Sequence, residues 1–195
     1  DITEVERRAY YKILSGRLRA KSVMLVEKGV ADAAGIGMPL DSPEGQMIVN
    51  LGGDRTEISV ISEGKTIIQR TLRTGGHTLD EDIMNMVKKQ FQLNIGRKTA
   101  EALKNQLAYL LNGPALEMRV FGIHTVTGLP RQVAIPALAV SVSIVDTIDA
   151  ITEVVKTTME RTPPQLLENI RKNGIYLTGG VSLLPNLSIY MQKEL

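Results

Sequence analysis

Three pairs of consecutive glycines are the residues of this sequence best suited to bind an anion: Gly52-Gly53, Gly75-Gly76 and Gly179-Gly180. Each pair follows a strand-like segment or leads into a helix-like one. Glycine lets the backbone adopt a positive φ and present successive N–H groups without an intervening side chain, as phosphate sites require. A single pair is better explained by a tight turn. Three pairs in one chain weaken that explanation without excluding it.

Polar residues flank the first pair in the segment "NLGGDR", which runs from Asn50 to Arg55. The carboxylate of Asp54 would repel a phosphate at short range. Arg55 is expected to neutralise Asp54 or to bind an anion itself. His77, which follows the second pair, is interpreted as a loop residue, with a pH-sensitive contact to a bound ligand as the alternative.

A second pattern joins Glu101 and Lys104, whose spacing of three residues places both side chains on one face of a helix. Two interpretations remain open for this pair. The side chains contact a ligand, or they form an ion pair that faces the solvent.

Composition excludes several classes of protein. The 195 residues are 43% hydrophobic and 23% charged, with a formal net charge of +2 and scattered basic residues, so neither a nucleic-acid partner nor direct membrane contact is predicted. The longest apolar segment, 133–145, is interrupted by Pro136 and is too short to span a bilayer. The absence of cysteine suits a reducing compartment, and we expect a cytoplasmic location.

Hydrophobic periodicity and turn residues predict an α/β fold whose sheets are covered by helices. The predicted strands lie at 22–27, 47–51, 57–62, 66–72, 116–122, 131–135 and from 175. The strand at 57–62 is expected to be only partly buried on one face. The predicted helices lie at 3–20, 30–38, 78–91, 99–111, 141–160, 165–171 and from 186. Thr78 is expected to cap the third helix, with Glu81 completing a capping box.

Eight segments, spread in order over nearly the whole chain, carry a resemblance to a known family. They are "TEVERRA", "AAGIGMPL", "GGDRTEISVIS", "TGGHTLDEDI", "IGRKTAEALK", "HTVTGLPRQVAI", "ERTPPQLLENI" and "GIYLTGGVSLLPNL". They resemble the C-terminal part of MreB proteins, the bacterial actin-like family that sets rod shape. The segments "VTGLP" and "TPPQL" are more typical of this family than of actins or chaperone ATPases.

The resemblance implies an actin-like ATPase fold of the ribonuclease H-like type, of which this chain is mainly the second half. Residues 1–40 would be a remnant of the first domain and the interdomain helix. Residues 41–195 would be the second domain, with a helical subdomain on the nucleotide side at about 75–135. The first domain's phosphate loop would precede this sequence, so we expect no appreciable ATPase activity from the chain as given. The implied partners are further copies in an actin-like filament and the cell-wall elongation machinery.

The resemblance also assigns a nucleotide site to particular positions. Glu101 and Lys104 match the family's Glu-x-x-Lys pair, which contacts ribose and adenine. Gly52-Gly53 match the family's phosphate turn. The backbone that approaches the nucleoside and α-phosphate is matched by Gly75, Gly76, Gly179, Gly180, Val181 and Ser182, with Val181 in place of a usual third glycine. ATP or ADP is therefore the expected cofactor.

Departures from the family pattern argue against ordinary hydrolysis. Asn50 stands where the family has the Asp that helps to hold hydrated Mg²⁺, so a magnesium ion is not expected. Lys28 stands where the water-activating Glu is expected, and a protonated lysine cannot act as a general base. No catalytic residue and no metal ligand is assigned.

Three functions remain open at this stage. The first is an MreB-like cytoskeletal protein that determines cell shape through filaments, with weak or lost nucleotide hydrolysis. The second is a competent, ATP-dependent, filament-forming ATPase seen as a truncated chain. The third is a ligand-binding or protein-binding α/β module unrelated to actin.

Overall fold

The computed structural model describes residues 3–195 and shows an α/β architecture. The strands are β1 (Gln46–Leu51), β2 (Thr56–Ser62), β3 (Lys65–Leu72), β4 (Leu93–Asn94), β5 (Glu117–His124), β6 (Pro130–Pro136) and β7 (Ile175–Thr178). The α-helices are α1 (Glu4–Lys12), α2 (Lys28–Gly35), α3 (Gly76–Phe91), α4 (Arg97–Leu107), α5 (Ala137–Glu160), α6 (Pro164–Asn173) and α7 (Leu187–Glu194). A π-helical turn (Ile13–Arg17) continues α1, and a 3-10 turn (Gly180–Leu183) follows β7.

The first sheet has the strand order β3-β2-β1-β7, in which β1 is antiparallel to β2 and parallel to β7. Successive side chains of β1 point to opposite faces, as in any strand. Met47 and Val49 therefore enter the main core, whereas Ile48 enters a smaller core beneath α2. The meander predicted at 47–72 is confirmed.

The structure corrects the prediction that β2 has a partly exposed face. Ile58 and Val60 are buried in the main core, and Ile61 packs in the smaller core with Ala33 of α2. Helix α2 approaches so closely that a Cβ at Gly29 would lie 2.6 Å from the hydroxyl oxygen of Ser59. The helix covers the face that alternation alone suggested would be only partly buried.

The second sheet has the antiparallel order β4-β5-β6 and contains the predicted hairpin, with β5 paired to β6 from Glu117–Pro136 to Ile123–Pro130. Leu93, Val120 and Ile135 from this sheet join the main core. Helices α3 and α4 and this sheet all fall within 76–136, close to the predicted helical subdomain. The domain division itself stays a prediction.

Several predicted boundaries are wrong, each for a local reason. No strand forms at 22–27, where Met24 and Val26 are exposed and no neighbouring strand supplies ladder hydrogen bonds. The α-helical geometry predicted to residue 20 ends at Lys12. Helix α4 ends at Leu107 because the N–H of Tyr109 donates to the hydroxyl of Ser141, at 2.9 Å, instead of continuing the helix.

The starts of α3 and α5 also differ from the predictions. Helix α5 begins at Ala137. Pro136 directly precedes it as the N-cap residue, a position that proline can occupy. Helix α3 begins at Gly76 with Gly75 as its N-cap, so Thr78 is its third residue. The Thr78 hydroxyl accepts a hydrogen bond from the Gly75 N–H at 3.3 Å, which reverses the predicted capping arrangement.

Among residues 3–195, no helix combines the length and the hydrophobicity needed to cross a bilayer.

Candidate functional site

The first two glycine pairs form one continuous backbone surface. The N–H of Gly76 donates to the carbonyl of Gly52 at 2.9 Å, and the N–H of His77 donates to the carbonyl of Gly53 at 2.8 Å. A Cβ at Gly75 would lie 2.5 Å from the Gly52 carbonyl oxygen. Only glycine fits at residue 75, because the start of α3 is pressed against the turn between β1 and β2.

The third pair reaches the same place from β7. Gly179 has a φ of +86°, and a Cβ there would lie 2.4 Å from the carbonyl oxygen of Leu51 at the end of β1. The following Val181 lies beside Gly76, where a Cβ would be 3.2 Å from its Cγ2 atom. All three pairs therefore meet at the carboxyl ends of the parallel strands β1 and β7, where ligands commonly bind in α/β sheets.

A cavity of about 450 Å³ opens at this meeting point. Its lining includes the predicted site residues Gly52, Gly53, Gly76, Glu101, Lys104, Gly180 and Val181. The remaining predicted residues, Gly75, Gly179 and Ser182, do not line the cavity. The Ser182 hydroxyl donates to the Gly179 carbonyl at 2.6 Å and so closes its own turn.

Lys104 does not form the solvent-facing pair with Glu101 that was one interpretation of their spacing. Its ammonium group is buried and donates to Oδ1 of Asp80 at 2.6 Å and to the Gly76 carbonyl at 3.0 Å. Glu101, one turn earlier on α4, is exposed at the cavity. Asp80 was not among the predicted site residues, although an acid beside Leu79 on the apolar stripe of α3 is a signal that this acid needs a buried partner.

The charges on the turn between β1 and β2 also pair differently from the prediction. Oδ1 of Asp54 lies 2.7 Å from Nδ1 of His77, so Asp54 is engaged by His77 and not by Arg55. His77 is the second residue of α3 and not a loop residue. Its imidazole lines the cavity, and its Cε1 atom would lie 3.4 Å from a Cβ at Gly53.

On the opposite face of the sheet, α2 engages both strands of the turn. Lys28 forms an ion pair with Glu57, and the amide Nδ2 of Asn50 donates to Oδ2 of Asp32 at 2.8 Å. Asn50 and Glu57 are direct neighbours across β1 and β2, and Lys28 and Asp32 are one helical turn apart. The helix therefore locks the end of β1 to β2 through two polar contacts.

The carboxylates at the turn between β1 and β2 are engaged with other side chains. Each of three carboxylates is engaged through one oxygen: Asp32 accepts from the Asn50 amide, Asp54 contacts His77 and Glu57 pairs with Lys28. Mg²⁺ is usually bound by one or two carboxylates together with waters and substrate phosphates, in near-octahedral geometry. Within residues 3–195, no three His, Asp or Glu side chains are grouped closely enough to hold a metal ion.

Comparison with known proteins decides the family. The family model described as MreB/Mbl protein matches residues 1–195, the full length of the chain. The chain belongs to the MreB/Mbl family. The resemblance seen in the sequence is thereby confirmed, and the alternative of an unrelated α/β module is wrong.

Relatives and solved structures of the family agree with this assignment. The MreB/Mbl chain is 32% identical over 196 residues to the cell shape-determining protein Mbl of Bacillus cereus, a match that covers 100% of the chain and 59% of that protein. It is 33% identical over 193 residues to the cell shape-determining protein MreB of Escherichia coli, covering 98% and 55%. The chain thus spans little more than half the length of these curated relatives.

The crystal structure of MreB5 of Spiroplasma citri bound to AMPPNP superposes with a TM-score of 0.93 at 29% identity, over 99% of this chain and 58% of that one. A MamK double helical filament superposes with a TM-score of 0.76 at 18% identity, over 99% and 57%, and shows the fold alone. The predicted actin-like α/β fold is confirmed, and the chain corresponds to about half of it.

Proposed function

We propose that this MreB/Mbl chain acts in cell-shape determination as a cytoskeletal protein that binds ATP or ADP and self-associates in actin-like filaments. One observation carries the nucleotide site: all three glycine pairs, Glu101 and the buried Lys104–Asp80 pair converge on one cavity. The names of Mbl and MreB as cell shape-determining proteins support the biological role. The MreB5 structures bound to AMPPNP and to ADP support the ligand class.

Particular positions are proposed for each part of the nucleotide. The exposed carboxylate of Glu101 suits hydrogen bonds to sugar hydroxyls, because an ionised carboxylate is an acceptor with two free oxygens. Gly76, Gly180 and Val181 bring backbone and small apolar surface close to the nucleoside and α-phosphate. Gly52 and Gly53 would face the later phosphates. Lys104 fixes the wall of the site through Asp80 and the Gly76 carbonyl.

Hydrolysis is proposed to be weak or lost, and binding to be independent of Mg²⁺. Lys28, at the position expected for a water-activating acid, is held by Glu57 and is no general base. Asn50 supplies a neutral amide where the family has a carboxylate, and that amide donates to Asp32. Phosphoryl transfer depends mainly on a positioned metal ion and oriented water, so losing both would slow it strongly.

Self-association and location are proposals of the same kind. A cytoplasmic filament that works with the cell-wall elongation machinery is what membership of the family suggests. Sedimentation of the purified chain with and without nucleotide tests self-association directly, and purification of its partners from cells tests the link to wall synthesis.

Calorimetric titration with ATP and ADP, with and without Mg²⁺, tests the nucleotide site. We expect binding that Mg²⁺ does not strengthen and that Glu101→Ala weakens. Glu153→Ala is the matched control, because Glu153 is also an exposed helical glutamate but does not line the cavity. Tight Mg²⁺-dependent binding with steady phosphate release would favour the competent ATPase instead. No binding of either nucleotide would refute the proposed site.

A further inference from the structure

The Asp54–His77 pair lies between two cavities that meet at the glycine turn. His77 lines the larger cavity of about 450 Å³. Asp54 lines a smaller one of about 350 Å³, which is bordered by the same Gly52 and Gly53. Both side chains are open to solvent, with 46% of His77 and 80% of Asp54 exposed. The pair therefore sits beside the backbone that would face the later phosphates of a nucleotide.

The other charges around the turn balance one another. Lys28 is paired with Glu57, and Lys104 is paired with Asp80. The charged groups left at the two cavities are Arg55 on the turn and Glu101 on α4, which are opposite in sign. The local net charge is therefore set by the Asp54–His77 pair. It is about −1 when the imidazole is neutral and about 0 when the imidazole is protonated.

We propose that Asp54 is a specificity-determining residue that makes this site discriminate nucleotides by the number of their phosphates. The inference rests on the proposed function, because it takes the ligand to be an adenine nucleotide. The site prefers a nucleoside diphosphate, or a nucleotide with fewer phosphates, over a triphosphate. Protonation of His77 screens the Asp54 carboxylate and relaxes that preference.

Coulomb's law gives the size of the effect. One additional phosphate charge about 6 Å from an unscreened carboxylate in a water-like medium weakens binding roughly threefold. The effect grows if the bound nucleotide excludes water, and it shrinks as salt is added. ATP carries about one negative charge more than ADP, so the ratio of their dissociation constants measures the repulsion by the Asp54 carboxylate.

The test is the ratio of ATP to ADP dissociation constants, measured at low salt without Mg²⁺ for the wild type and for Asp54→Asn. At pH 8 we expect the substitution to lower that ratio about threefold or more. Asp41→Asn is the control, because Asp41 is an exposed acid before β1, at the opposite end of the strand from the turn. An unchanged ratio in Asp54→Asn overturns the inference.

The role of the histidine has its own variant and control. Histidine is the side chain that ordinarily changes charge between about pH 8 and pH 5.5, so screening by His77 is tested by whether the wild-type ratio falls over this range, as we expect. The terminal phosphates of ATP and of ADP are protonated over the same pH range. This protonation therefore affects both dissociation constants alike and leaves their ratio unchanged. In His77→Gln the ratio should no longer fall, whereas His124→Gln, in the distant hairpin, should behave as wild type. A ratio that ignores pH in the wild type contradicts the screening by His77.

Adenosine separates the inference from the proposed function, because it has no phosphate. Adenosine affinity that is equal in the wild type and in Asp54→Asn, together with a changed ATP to ADP ratio, supports both. Binding of adenosine, ADP and ATP with the same ratio in both variants overturns the inference alone. Failure of all three to bind either variant overturns the proposed function, and the inference with it.

Discussion

The ammonium group of Lys104 on α4 and the carboxylate of Asp80 on α3 form an ion pair with Nζ and Oδ1 2.6 Å apart, and their side chains are only 8% and 2% exposed. The same ammonium group donates to the Gly76 carbonyl at 3.0 Å. A single cation therefore joins two helices and fixes the glycine pair at the start of α3. The core and the candidate nucleotide site share this contact, so a change in Lys104 affects both.

Lys104→Met should be strongly destabilising, because it leaves the Asp80 carboxylate buried without a partner. We expect a loss of about 3–5 kcal/mol in the free energy of unfolding, measured by urea denaturation. The double variant Asp80→Leu with Lys104→Met should recover most of that loss, since an apolar pair of similar volume carries no desolvation penalty. A double variant no more stable than Lys104→Met would contradict this account.

Two adjacent glycines should respond oppositely to alanine. Gly179→Ala places a Cβ 2.4 Å from the Leu51 carbonyl oxygen at a φ of +86°, so we expect a loss above about 2 kcal/mol. Gly180→Ala meets no atom within 4 Å and should change stability by less than about 1 kcal/mol. Thermal unfolding of the two variants beside the wild type measures the difference, and equal losses would show that the approach of β7 to β1 is looser than described.

Tyr190 should titrate separately from the other tyrosines. Its hydroxyl donates to Oδ1 of Asp149 at 2.6 Å, and this hydrogen bond, followed by burial, raises the pKa of Tyr190 to about 12. Because the folded pKa is raised, the stabilisation is present below the unfolded value and is lost as pH rises towards about 12.

Ultraviolet titration of tyrosinate should resolve one late transition among the five tyrosines. In Asp149→Asn that transition should move to lower pH, because the charged acceptor has gone. An unchanged late transition in Asp149→Asn would assign it to another cause.

Asp82 provides a pH dependence of the same sign at acidic pH. Burial raises the pKa of its carboxyl above the ordinary value, with Glu81 and Asp146 acting in the same direction, although the hydroxyl of Thr147 donates to it at 2.6 Å. The folded state thus binds the proton more tightly than the unfolded state, and stability falls as pH rises from the unfolded pKa through the folded one.

Asp82→Asn should remove that slope, because an amide can still accept from Thr147 and carries no charge. The variant should gain stability relative to the wild type between about pH 3 and pH 7. Urea denaturation across this range measures the gain, and Asp41→Asn, an exposed acid elsewhere, should show no comparable trend. A constant difference between Asp82→Asn and the wild type would disprove the linkage.

The sequence by itself determined the parts of this protein that depend on neighbours along the chain. Alternating apolar residues predicted the meander of β1 to β3, and the segment "TGLP" between two apolar runs predicted the hairpin of β5 and β6. The glycine pairs marked the places where backbones approach most closely. The family segments, found in the expected order, indicated the actin-like fold, because the turns and close contacts of that fold restrict which residue types can occupy those positions.

The tertiary structure alone decided which charges meet. Asn50 binds Asp32, Asp54 binds His77, Lys104 binds Asp80 and Lys28 binds Glu57, across 18, 23, 24 and 29 residues of chain respectively. The pairs predicted from the sequence were instead between residues close along the chain, such as Asp54 with Arg55 and Glu101 with Lys104. Electrostatic energy depends on distance in space and on burial, and both are fixed only when α2, α3 and α4 pack against the sheet. The absence of a strand at 22–27 has the same origin, since a strand needs a partner that the packing does not supply there.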